Sequence, residues 1–66
     1  MTTKQDHYEI VGASTPFEAA KRLGVHPNTV YRMLDRGELP YFKVGNWHKR
    51  IPNEAIEAKR RGEKID

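Results

Sequence analysis

The run from Thr29 to Pro40, TVYRMLDRGELP, constrains the fold most, because it holds a helical face, a forced helix stop and the start of an extended segment. Val30, Met33 and Leu34 recur at i, i+3 and i+4 and line one side of a helix, whereas Asn28, Thr29, Arg32, Asp35 and Arg36 fall on the other. One side packs; the other is left for contact. Gly37 supplies the residue that accepts positive φ just past a helix end, and Leu39, preceding Pro40, is pushed towards extended backbone.

Upstream, Thr15-Pro16-Phe17-Glu18 sets a capping hydroxyl, a proline at the first helical position and a reciprocal carboxylate three residues on. Phe17, Ala20 and Leu23, with Ala19 beside them, are the expected apolar stripe of this helix, which Gly24 stops after roughly two turns. Val25-His26-Pro27-Asn28 leaves room only for a tight turn, with His26 leading in and Pro27 opening a second helix that runs to about Arg36. This is helix-turn-helix spacing. Small Ala19 and Ala20 facing inward let the two helices cross closely.

After Leu39 the period changes to two. Tyr41–Val44 and Trp47–Ile51 flank Gly45-Asn46, a hairpin-turn signal, and Lys43, Asn46, Trp47, His48, Lys49 and Arg50 gather near the tip in the manner of a wing. Pro52-Asn53-Glu54 opens a last helix that ends at Gly62, with Ala55, Ile56 and the Lys59 stem facing the core. The expected class is α+β, a small winged helix-turn-helix with a two-stranded wing hairpin and a C-terminal helix. An N-terminal arm covers 1–13, in which Tyr8–Val11 forms a short strand or an extended packing arm; the folded unit covers 14–62 and a disordered tail 63–66.

Composition narrows the function. Sixty-six residues make one domain with little room for a buried cleft, and the scattered carboxylates lack the pairing that metal-dependent phosphodiester cleavage needs, so no enzyme is expected. Absence of cysteine removes disulfides and thiolate zinc sites, and His7, His26 and His48 share no ligand spacing; neither metal nor cofactor is expected. With no signal peptide and no apolar run of membrane length, the expected location is the cytoplasm, away from any membrane.

The formal charge of +3 is unevenly spread. Residues 1–20 carry one lysine against Asp6, Glu9 and Glu18, net −2; residues 21–50 carry seven lysines and arginines against Asp35 and Glu38, net +5; residues 51–66 balance. The positive field thus sits on the second helix and the hairpin, as a double-stranded DNA partner requires. Arg32 is placed to fork onto guanine or clamp a phosphate, against the alternative of an ion pair with Asp35. Asn28 and Thr29 stand where side chains and free N–H groups meet phosphates or base edges, or only cap the helix. Tyr31 combines packing with a hydroxyl aimed at phosphate. Lys21, Arg22, Lys43, Lys49 and Arg50 are the expected backbone anchors, and Lys59-Arg60-Arg61 is either a solvated helix end or a further phosphate contact. Trp47 either caps Ile51 and Val44 or enters a groove. A protein-interaction module using Tyr41, Phe42 and Trp47 is the reading from another class, and no small-molecule substrate is expected.

The ordered landmarks EAA, LGV, TVYR, RGELP, VG and IP, spread from Thr15 to about Arg61, resemble the excisionase-type, MerR-like winged helix-turn-helix DNA-binding family. That resemblance implies a second helix in a major groove, with Asn28, Thr29, Tyr31 and Arg32 facing it. It places the wing, Lys43 to Arg50, on the backbone or in the adjacent minor groove. It also implies a recombination directionality factor of a phage or integrative element, bacterial and nucleoid-associated. Such a protein binds repeated sites cooperatively beside copies of itself, bends DNA and directs a site-specific integrase; a small transcriptional regulator is the alternative. One departure stands out: Gly45 to Pro52 is one residue longer than the family pattern of glycine, two polar residues and W-R-I-P, and Lys49 stands at the tryptophan position. Either a bulge absorbs the extra residue or Trp47 swings to the outer face.

Overall fold

The computed structural model describes residues 11–62. In chain order it contains β1 (Ala13–Ser14), α1 (Pro16–Leu23), α2 (Pro27–Asp35), β2 (Phe42–Val44), β3 (His48–Pro52) and α3 (Asn53–Arg60). Three helices and a three-stranded antiparallel sheet form a small α+β winged helix-turn-helix.

Each helix boundary follows from local chemistry. The α1 capping box is closed at both ends: the Glu18 N–H donates to Thr15 Oγ1 at 3.1 Å, and the Thr15 N–H donates to Glu18 Oε1 at 3.0 Å. Gly24 and Gly37, with φ of 72° and 73°, then turn the chain out of α1 and α2. After α1 the Val25 N–H reaches the Ala20 carbonyl at 3.0 Å, and after α2 the Glu38 N–H reaches Met33 at 2.8 Å. These 6→1 bonds, each beside an i→i−3 bond from the glycine N–H, satisfy carbonyls that the helix leaves open.

The core is built from Ala19, Ala20, Val30, Leu34, Leu39, Ile51, Ala55 and Ile56, with Leu23, Val25 and Met33 packed against it. Burying Leu39, Ile51, Ile56 and Val30 contributes about 1.5–3 kcal/mol each, so a few side chains carry most of the hydrophobic stabilisation. Phe17, expected in the α1 stripe, is 61% exposed; the buried face is set by Pro16, Ala19 and Ala20 instead. Positions 16, 19 and 20 share one helical face, and Phe17 lies about 100° round from Pro16.

The sheet has one strand more than the expected two-stranded wing. Order β1-β3-β2 places β3 centrally, pairing Ala13 with Pro52 and Ser14 with Ile51 on one side. Pro52, expected to open the last helix, closes β3 and stands as the α3 N-cap without a side-chain cap bond. The buried Ser14 hydroxyl donates to Asn53 Oδ1, and the Asn53 N–H donates to the Gly12 carbonyl at 2.8 Å, so the segment before α1 is tied to the start of α3. Of the expected strand at Tyr8–Val11, Val11 lies in a turn and the others lie outside the described residues, as does the tail at 63–66.

Gly37→Ala tests the α2 stop. A Cβ there meets no atom within 4 Å, so the loss is backbone strain alone, about 1–2 kcal/mol, read as a lower urea midpoint at unchanged m-value.

Candidate nucleic-acid interface

The second helix is aimed by its two ends and its buried side. Val30 and Leu34 are buried and Met33 is half-buried, which turns Asn28, Tyr31, Arg32, Asp35 and Arg36 outward. At the N-terminus His26 does more than lead into the helix: its Nδ1 accepts from the Asn28 N–H at 3.0 Å. This cap is hard to foresee, since histidine is not among the strongly preferred cap residues. Arg32 Nη2 donates to Thr29 Oγ1 at 3.4 Å, across one turn, instead of pairing with Asp35. Arg36 Nη1 lies 3.7 Å from Glu38 Oε2 just beyond the helix, and Lys59 Nζ on α3 lies 3.7 Å from Glu38 Oε1. Glu38 therefore bridges the end of α2 to α3.

The hairpin register is regular, Phe42 opposite Arg50, Lys43 opposite Lys49 and Val44 opposite His48. No bulge absorbs the extra residue. Gly45, Asn46 and Trp47 form a three-residue connection in place of the expected two-residue Gly-Asn turn, and Gly45 takes it up with φ of 68°. Trp47 moves out of the strand into the tip and is 80% exposed, so it caps neither Ile51 nor Val44.

Two features of the wing bear on anion binding. Lys43 and Lys49 are directly opposed, and like charges at such positions repel in the free protein. Lys49 is held in place: its Nζ lies 5.1 Å from the Tyr41 ring centre and 6.0 Å from that of Tyr31 on α2. Cation–π attraction at these distances joins the wing to the second helix. Arg50, expected among the exposed anchors, is only 8% exposed, and its Nη1 donates to the Lys49 carbonyl at 2.9 Å. Asn46 is exposed at the tip, His48 is half-buried on β3, and Lys43 is exposed with no partner among the described residues.

On α1 the two expected anchors differ. Lys21 is exposed and has no partner among the described residues, whereas Arg22 Nη1 lies 3.9 Å from Glu57 Oε2 on α3. Arg60 donates to the same carboxylate at 2.8 Å and 3.1 Å. This hydrogen bonding from Arg60, with the charges of Arg60, Arg22 and Arg61, holds the Glu57 carboxyl below its ordinary range. Any stability it adds is present above the ordinary carboxylate range and is lost as pH falls through the lowered value. Among the described residues no group of three His, Asp or Glu side chains is close enough to hold a metal ion, and no helix is long and apolar enough to cross a membrane.

A family model for the helix-turn-helix domain matches residues 15–61, from the α1 cap through the wing to the end of α3. The chain belongs to the helix-turn-helix domain family. This helix-turn-helix protein is thereby a sequence-specific DNA-binding protein, with DNA as its partner. No curated protein and no solved structure gave a significant match.

A double-mutant cycle on Lys49→Met and Tyr31→Leu measures the tether between wing and helix. The expected coupling is about 0.5–1 kcal/mol of folding stability. Additive effects would remove the tether. Separately, His26→Ala should lower stability by about 1 kcal/mol in thermal melts, and His26→Asp should restore most of it.

Proposed function

We propose that this protein is a recombination directionality factor: it reads repeated sites with α2, grips the adjoining groove with the wing, bends the DNA and positions a site-specific integrase. One observation carries the reading. Lys49 lies over Tyr31, so the exposed polar face of α2 and a wing free of acidic residues from Leu39 to Asn53 form one continuous surface. Asn28, Thr29 and Arg32 would set sequence preference, while Lys21, Lys43 and Lys49 hold phosphates. Binding without catalysis suits the carboxylates, since Glu18 closes a helix cap and Glu38 and Glu57 are engaged in ion pairs.

The excision role rests on the excisionase-type landmarks between Thr15 and Arg61. It also rests on the small reading surface, which gives one copy a poor specificity ratio against a genome of competing sites. Copies loading side by side on tandem repeats would correct this, the cationic wing of one meeting an acidic surface of the next. Glu18 is exposed on α1 for that contact; Asp6 and Glu9 lie outside the described residues.

Footprinting on the attachment site of the element and on DNA flanking its gene tests the role. Protected tandem repeats at the attachment site are expected; protection confined to a promoter would replace excision with transcriptional regulation. The binding mode has its own measurement: about three phosphate contacts, from Lys21, Lys43 and Lys49, give a log–log salt slope near −2.7, and binding that ignores salt would remove DNA as the partner. Arg32→Ala should lower affinity for the selected site by roughly 1–3 kcal/mol and leave non-specific binding nearly intact.

A further inference from the structure

We infer that Trp47 is a wedge that enters the minor groove beside the α2 site and stacks against an opened base step, so that the wing bends the DNA it grips. The inference rests on the DNA-binding reading above and adds the contact and its effect. Trp47 is the single tryptophan of the chain and lies 80% exposed at the end of the hairpin, where a large apolar ring in water gives no folding benefit. The three-residue connection that carries it is the extra length of this wing, and it pushes the ring beyond the last strand pair, Val44 opposite His48.

Charge selects the occupant. Behind the ring stand Lys43 and Lys49, directly opposed, and no aspartate or glutamate occurs between Leu39 and Asn53. Phosphates on the two sides of a groove relieve the repulsion between the lysines, whereas an apolar protein pocket does not. Groove width selects the geometry. A two-stranded ribbon fits a major groove, but only a loop tip enters a minor groove about 6 Å wide, and apolar side chains inserted there part a base step and kink the duplex. The Lys49 contact to Tyr31 ties the wing to α2, so the ring is presented in a set place relative to the reading helix.

The test uses the full chain and a duplex that the protein itself selects from a random-sequence pool. Binding is followed by anisotropy of labelled DNA, tryptophan emission by acrylamide quenching, and bending by end-to-end energy transfer. On DNA, emission should fall and the ring should become shielded from acrylamide. Trp47→Ala should lose the bend and roughly tenfold in affinity, the low end of what a stacked base–aromatic contact supplies, while Trp47→Phe should keep both. Anisotropy that reports binding while Trp47 stays open to acrylamide, or an unchanged bend in Trp47→Ala, overturns the wedge and leaves DNA binding standing. Failure to select or bind any duplex overturns both. Shielding of Trp47 without DNA as protein concentration rises assigns the ring to a protein contact and also overturns the wedge.

Discussion

Two alanines set the distance on which the exposure of the second helix depends. Ala19 and Ala20 are both buried between α1 and its neighbours, and with only Gly24, Val25 and His26 joining α1 to α2, the chain has no slack to hold the helices apart. Small side chains at a crossing bring backbones close, and close backbones leave the outer face of the second helix standing clear of the body. A larger residue at either position would push α2 outward and strain the short connection. The position of Asn28, Tyr31, Arg32 and Arg36 is thus a consequence of what lies beneath them.

Legibility in the sequence followed the range of the interaction. The capping box at Thr15 and Glu18, the glycine stops at Gly24 and Gly37, and the buried face of Val30 and Leu34 were all readable, because each depends on residues within a turn or two. The third strand was not readable: it rests on Ser14 meeting Asn53 across 39 positions, and a two-residue strand has no periodicity to detect. The wing shows how a small error spreads. With a two-residue turn at Gly45-Asn46, Arg50 would stand opposite Tyr41 on the Lys43 side. With three residues in the connection it stands opposite Phe42 and turns inward, while Lys49 takes its place beside Lys43. A slip of one residue exchanges the two faces of a strand, so loop length decided which cation the surface received.

Charge placement on the body complements that of the interface. Glu57 gathers Arg22 and Arg60, and Glu38 gathers Arg36 and Lys59, so much of the positive charge away from the wing is already matched by a nearby carboxylate. Exposed pairs of this kind contribute little to stability. Their effect is on the field: neutralised flanks leave the wing and the front of α2 as the region where an approaching polyanion meets unscreened cations.

The order of the sheet limits how this protein can meet its own copies. Among the described residues both outer strands, β1 and β2, leave a backbone edge unpaired, but β1 has two residues with Pro16 just beyond, and β2 has three, with Pro40 shortly before it and Lys43 at its centre. Short, charged, proline-flanked edges give an incoming strand too few hydrogen bonds to add to the sheet. An approaching copy is therefore offered no edge long enough to extend the sheet, and any contact between two molecules is left to side chains that can separate again.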